Sequence, residues 1–219
     1  MRALPQTLSH ASSRIRVKAG DNWLLVGRKG SGKTTFGKIL LNNLIKLYPT
    51  SRVYILDVKR RDFNDYEGIT ETDYEAPELP DSNQRFQIWQ PLIEVPDEIE
   101  KWLYMVRKDA PCILDIDELL ALCYKRNQTS DEFKIIQKLG RDLPIATLSG
   151  TQELVQIPRN AIGQADHYVK FRLKHPYEKT IMKQIIGETD DPLDPYGFHY
   201  AHANDQGSPQ YFKDHSSFF

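Results

Sequence analysis

The sequence predicts an α/β fold whose centre is a mostly parallel β-sheet flanked by helices. Three observations predict it. Short apolar runs alternate with longer segments of helical periodicity, the pattern of parallel strands joined by crossover helices. One such strand and helix are joined by a glycine-rich loop, Gly27-Arg28-Lys29-Gly30-Ser31-Gly32-Lys33-Thr34-Thr35. A chain of 219 residues with 40% hydrophobic and 27% charged content suits one α/β domain with an ordinary core.

The elements follow in order. Residues 1–13 are expected to be flexible, and the core to span 14–190. Arg14–Lys18 alternates charged and apolar residues, as a half-buried edge strand does. Ala19-Gly20-Asp21-Asn22 turns the chain into an apolar strand, Trp23-Leu24-Leu25-Val26, which enters the glycine-rich loop. Phe36, Ile39, Leu40, Leu44 and Leu47 then recur at helical spacing, and Pro49 ends that helix. Arg52–Val58 reads as a second buried strand. The acidic, proline-containing residues 62–84 read as an irregular excursion, and Arg85–Trp89 as another strand. Pro96 opens a helix through Trp102 and Val106, with acids in its first turn and Arg107 and Lys108 in its last, as the helix dipole favours. Cys112–Ile116 is the next strand, Asp131–Leu139 a helix, and Leu143–Leu148 a strand ending near Gln152. His167–Leu173 alternates like a strand and Glu178–Ile186 like a helix. Phe198–Ala201 and Gln210–Phe212 flank a turn-forming Asn204–Gly207, which predicts a C-terminal hairpin within about 196–213.

Composition narrows the classes of partner. A net charge of −1 excludes a globally basic surface, so contacts with nucleic acid would come from local clusters. No apolar run is long enough to cross a membrane, and the N-terminus lacks a signal-peptide core. Cys112 and Cys123 sit in apolar surroundings and read as buried thiols in a reducing compartment. His199-x-x-His202, on a strand, sends its rings to opposite faces, a poor geometry for a metal. Phe218-Phe219 reads as a frayed tail.

The loop carries the chemistry. Its spacing is G-x-x-x-x-G-K-[ST]. Glycines let the backbone turn its N–H groups toward an anion at a helix N-terminus, which predicts nucleotide binding along Gly27–Thr35. Lys33 would reach the β- and γ-phosphates of ATP, and the Thr34 hydroxyl would ligate Mg²⁺. Asp117 follows an apolar strand and would hold the same Mg²⁺ through water. Glu118, one residue on, would polarise an attacking water, which implies hydrolysis. Acids are also favoured at any helix N-terminus, the alternative for this pair. Gln152 sits at a strand tip, where ligands of open α/β sheets bind, and is assigned to sense the γ-phosphate or the water, with a turn-stabilising amide as the alternative.

Gly27–Thr34, the strand ending Asp57-Val58-Lys59, Ile113–Leu119, Gly140–Ile145, Thr151-Gln152, Ile157-Pro158-Arg159-Asn160 and Gln164-Ala165-Asp166-His167 occur in one order. That series resembles the FtsK–HerA superfamily of ring-forming, DNA-translocating ATPases, over roughly residues 20–190. The resemblance implies a RecA-like (ASCE) phosphate-loop core in which the Gln152 strand lies between the phosphate-loop strand and the Asp117 strand. It implies a homo-oligomeric ring, a hexamer, with nucleotide at subunit interfaces and an arginine acting in trans. Arg141 matches that arginine by position, with Arg159 second. The length resembles the genome-packaging ATPases of tailless icosahedral viruses with internal membranes. That implies double-stranded DNA as partner, capsid or membrane-vertex proteins as docking sites, and a place in the host cytoplasm or at the packaging vertex. DNA contacts would come from Lys59, Arg60 and Arg61, and from Lys125 and Arg126; such short charge runs can equally be solvated surface, and Lys59 can instead orient the nucleotide site. A cellular or plasmid-encoded translocase, a nucleotide-gated assembly protein without translocation and a phosphate-loop kinase of small molecules are the other readings.

Overall fold

The computed structural model describes residues 17–72, 75–81, 83–92, 94–124, 128–139, 142–204 and 208–218. The flexible segment expected over 1–13 and most of the Arg14–Lys18 strand lie outside these residues, and Val17 and Lys18 are not in a strand. The strands are β1 (Asn22–Val26), β2 (Arg52–Leu56), β3 (Ile69–Thr70), β4 (Phe86–Trp89), β5 (Cys112–Ile116), β6 (Ile145–Thr151), β7 (His167–Lys170), β8 (Phe198–His202) and β9 (Gln210–Phe212). The helices are α1 (Lys33–Leu47), α2 (Pro96–Lys108), α3 (Asp131–Leu139), the short α4 (Arg159–Ile162) and α5 (Pro176–Ile186). All nine strands form one sheet, ordered β3-β4-β2-β5-β6-β1-β7-β8-β9.

Every pairing from β3 to β7 is parallel, and only the β7–β8 and β8–β9 pairings are antiparallel. The order β5-β6-β1 puts the Gln152 strand between the Asp117 strand and the phosphate-loop strand, as the RecA-like expectation requires. β1, β5 and β7 are buried along their whole length, because helices cover both faces of a parallel sheet. This explains why β1 and β5 read as apolar runs, while β7, His167-Tyr168-Val169-Lys170, is buried although its sequence alternates. The excursion over 62–84 departs from expectation in one respect. It contributes β3, a two-residue edge strand on β4, too short to show a periodicity.

The sheet separates two apolar layers. On one face α1 packs Phe36, Leu40, Leu41 and Leu44 against Trp23, Leu25, Val53, Ile113 and Leu148. On the other, Ile99, Trp102, Leu103 and Val106 of α2 pack with Phe133 and Ile136 of α3 and Met182 and Ile186 of α5. Arg107 of α2 and Glu132 of α3 form an ion pair at 2.7 Å that ties those helices together. Phe218 is not frayed. Its ring lies 5.1 Å from Phe36, 5.5 Å from Phe198 and 5.0 Å from Phe212. The C-terminal segment folds back over α1 because an aromatic cluster exists there to bury it. Cys112 is buried and Cys123 half-buried, both as free thiols.

At the N-terminal end of the central strands a buried polar network sets their register. Asn22 N–H donates to Asp166 Oδ2 at 2.9 Å, and Thr147 Oγ1 donates to Asn22 Oδ1 at 2.6 Å. His167, fully buried, stacks on Trp23 at 3.9 Å. Its Nε2 faces Asp21 Oδ2 at 3.0 Å and its Nδ1 lies 2.9 Å from the Tyr200 hydroxyl. With the carboxylate as acceptor, Nε2 carries the proton and Tyr200 O–H donates to Nδ1. Burial outweighs Asp21 and pulls the His167 pKa below its usual 6.5. The unfolded chain therefore binds the proton more readily. Stability from this residue is complete above about pH 6.5 and is lost as pH falls below it. His167→Gln should flatten the decline in Tm between pH 7.5 and 5.5, measured against wild type by thermal denaturation. An unchanged slope would remove His167 from that role.

Candidate functional site

The phosphate loop is held by its flanking strands. Gly27 N–H donates to Thr151 O at 3.2 Å, and Arg28 N–H donates to Arg172 O at 2.9 Å. Gly27 is required by space, since a Cβ there would stand 2.6 Å from Phe171 Cβ and 2.8 Å from Ser31 Oγ. Gly30 and Gly32 are required by conformation, with φ of +74° and +92°. Gly32 ends the loop and caps α1 in that left-handed geometry. Gly30, Ser31, Gly32, Lys33, Thr34 and Thr35 line one cleft of about 360 Å³, in the range of small-molecule sites. Lys29 lines the same cleft, and both Arg28 and Lys29 are exposed. Lys33 is buried and donates to Arg28 O at 3.4 Å. Burial, followed by the nearby Lys59 ammonium, lowers its pKa to about 8.

The acids expected at the strand tips are brought together. Asp117 and Thr34 line one pocket beside Lys33. Glu118 and Gln152 meet: the Gln152 backbone N–H lies 3.4 Å from Glu118 Oε1, and its Nε2 lies 3.4 Å from Glu118 Oε2. The register of β5 against β6 allows this contact, because the two strands are adjacent and parallel and Ile116 pairs with Ser149, so the chain just after β5 runs beside the last residues of β6. Gly150 permits it at close range, since a Cβ there would sit 2.7 Å from Asp117 O.

Lys59 completes the cluster. Its ammonium lies 2.7 Å from Asp117 Oδ2 and 3.7 Å from Glu118 Oε2, and donates to Asp117 O at 3.3 Å. Lys59, a candidate both for DNA contact and for orienting the nucleotide site, makes an internal ion pair in the free chain. The cause is the turn after β2. Asp57, wholly buried, accepts from Arg61 N–H at 3.2 Å and Gln90 Nε2 at 2.8 Å. Arg60 takes φ +54°. The turn sends Lys59 inward, Arg60 outward to Glu71 at 2.9 Å, and Arg61 to the nucleotide cleft. Lys125, Arg126 and Arg141 lie outside the described residues. Arg159 is exposed at the start of α4.

Sequence reasoning missed two acids. Asp62 lines the cleft with Lys59 and Gln152. Asp115, two residues before Asp117 on β5, lines the Thr34 pocket. Burial, then Asp117 and Asp57, pushes the Asp115 pKa up to about 8. Its signal was the period of two in a strand, which sets Asp115 and Asp117 on one face.

A magnesium ion fits this donor set. Asp117 already carries a cation, the Lys59 ammonium, and burial raises its pKa against that pairing. No group of three His, Cys, Asp or Glu among the described residues forms a cage. A hydroxyl, one carboxylate and substrate oxygens are the donors that Mg²⁺ ordinarily takes beside a phosphate.

The model of the ATPase family associated with various cellular activities (AAA) matches residues 23–144, more than half of the chain. No curated protein matches. Among solved structures, the DNA-packaging ATPase B204 of Sulfolobus turreted icosahedral virus superposes with TM-score 0.74 at 19% identity, over 90% of this chain and 99% of that one. The genome-packaging NTPase B204 of Sulfolobus turreted icosahedral virus 2, in complex with ATP-γS, gives 0.70 at 20% identity over 89% and 97%. The pCW3 conjugation coupling protein TcpA, with ATPγS, gives 0.63 at 14% identity over 92% of this chain and 62% of that one. These likenesses establish the shared fold.

The lowered Lys33 pKa has a readable consequence. Above about pH 8 the free chain loses the ammonium that a triphosphate would need, so binding must then take up a proton. The Kd for ATP should rise with pH above 8, approaching tenfold per unit, in calorimetric titrations. A flat profile to pH 9.5 would show that Lys33 keeps its proton.

Proposed function

The chain belongs to the ATPase family associated with various cellular activities (AAA), and on that premise we propose that it is a motor coupling ATP hydrolysis to movement of double-stranded DNA. It works as a homo-oligomeric ring, a hexamer, and packages viral DNA into a preformed capsid. The observation that carries hydrolysis is the contact of Glu118 with Gln152 beside Asp117. That contact supplies a water-activating acid rather than a pocket for an acceptor molecule. The motif series shared with FtsK–HerA motors, and a fold shared with a DNA-packaging ATPase and a conjugation coupling protein, support the DNA reading.

The residues divide the work. Gly27–Thr35 cradle the phosphates with backbone N–H groups, and Lys33 neutralises the β- and γ-oxygens. Thr34 and Asp117 would hold Mg²⁺, which offsets charge on the phosphates when bound. Gln152 reaches both oxygens of Glu118 and so orients the carboxylate that polarises the attacking water. Lys59 bridges Asp117 and Glu118 in the free chain. In the ring, Arg141 of a neighbouring subunit supplies positive charge to the transferred phosphoryl group. Arg159 is the second choice and is exposed as a trans contact requires. DNA passes through the pore against Lys125 and Arg126. Lys59, Arg60 and Arg61 are further candidate DNA contacts, and capsid or membrane-vertex proteins anchor the ring. No described helix is long and apolar enough to cross a membrane.

Glu118→Gln should bind ATP with near-normal affinity while turnover falls roughly 10²- to 10⁴-fold, the usual contribution of a positioned base. Turnover equal to wild type would place water activation elsewhere. Duplex DNA should stimulate the wild-type ATPase, and the stimulation should fall steeply as salt rises from 50 to about 200 mM, because phosphate contacts release counterions. Indifference to DNA, with phosphoryl transfer to a small acceptor, would favour a kinase.

A further inference from the structure

Between α5 and β8 the chain runs through residues 190–197 without regular secondary structure, yet side chains pin it along its length. Lys170 Nζ donates to Asp190 O at 2.9 Å, and Lys179 pairs with Asp191 at 2.7 Å. Arg172 Nη2 donates to Pro192 O at 2.8 Å and to Leu193 O at 3.1 Å. Tyr211 O–H donates to Asp194 Oδ2 at 2.6 Å. Gly197 is wedged beneath, since a Cβ there would stand 2.6 Å from the Tyr211 hydroxyl. A loop held this firmly presents its outward residues in a fixed place.

One of those residues is Tyr196, a large aromatic side chain left 58% exposed. Its ring borders the phosphate loop. A Cβ on Gly32 would lie 3.2 Å from Tyr196 Cδ1, and Tyr196 lines the same cleft as Lys33 and Thr35. His215 packs beside the ring in a tilted arrangement, with centroids 6.1 Å apart. His215 also packs on Phe36 and Phe171, so it is anchored in the core. The sheet order decides which end of the cleft this is. Gln152 follows β6 on one side of β1, whereas Tyr196 precedes β8 on the far side, beyond β7. The terminal phosphate belongs at the Glu118–Gln152 end. The nucleoside must therefore leave the loop at the opposite end, where Tyr196 stands.

We infer that Tyr196 is the stacking platform for the base of the bound nucleotide, an inference that rests on the nucleotide site proposed above. An aromatic face attracts the π-face of a base and desolvates it, at a contribution large enough to measure by truncation. The chemistry recognised is a planar heteroaromatic base, with the ring of Tyr196 rather than its hydroxyl making the contact. Because stacking does not read base edges, this platform by itself tolerates any purine.

The test compares magnesium-ATP with magnesium-tripolyphosphate, which has the phosphates and no base. Tyr196→Ala should raise the Kd for ATP roughly five- to a hundredfold, the range for loss of one aromatic–base stack. Its affinity for tripolyphosphate should equal that of wild type, and Tyr196→Phe should bind both as wild type does. Tyr196→Trp should show indole fluorescence quenched by ATP and not by tripolyphosphate. An ATP affinity unchanged in Tyr196→Ala would overturn the inference. So would parallel loss of both ligands, which would mark Tyr196 as a support of the loop. If wild type binds neither ligand, the phosphate-loop reading itself falls.

Discussion

The structure turns on the concentration of negative charge at the carboxyl ends of two neighbouring strands. Asp57 at the end of β2, and Asp115 and Asp117 at the end of β5, are all buried, and Glu118 stands beside them. Carboxylates that close cannot all stay ionised in a poorly solvated site without a cation among them. Lys59 is that cation, 2.7 Å from Asp117, and a proton on Asp115, whose pKa rises to about 8, relieves part of what remains. The arrangement is a place built for positive charge. It accepts an ammonium in the free chain and has the donors for a divalent ion beside a phosphate.

The rest of the fold serves to bring that place next to the phosphate loop. β6 is the spacer. It pairs with β1 on one side and β5 on the other, so Gln152 reaches Glu118 while Thr151 O holds Gly27. At the opposite end of the same strands, the Asn22, Thr147, Asp166 and His167 network fixes the register on which those contacts depend. A one-residue slip in β1 would reverse its faces and carry the loop away from both partners.

The C-terminal segment is part of the site and not an appendage. β8 and β9 add an antiparallel edge, and the chain beyond them returns over α1 to bury Phe218 against Phe36 and Phe198. This return sets His215 beside Tyr196 at Gly32 of the phosphate loop. The loop is thus bounded by β6 on one flank and by the segment before β8 on the other.

By itself the sequence determined the parallel α/β plan, the phosphate loop, and the acids and amide at the strand tips. Those features depend on local spacing: glycines where φ is positive, apolar runs where strands are buried, carboxylates just after a strand. It could not determine what Lys59 does, because neither the turn capped by Asp57 nor the neighbour that receives the ammonium is visible in a three-residue basic run. It likewise left Tyr196 and Phe218 without roles. Their partners are distant in the chain and are brought close only by the sheet order and the closing of the C-terminal segment. Burial and sheet order are properties of the assembled fold, and they decided which charges face one another and which aromatic ring faces the cleft.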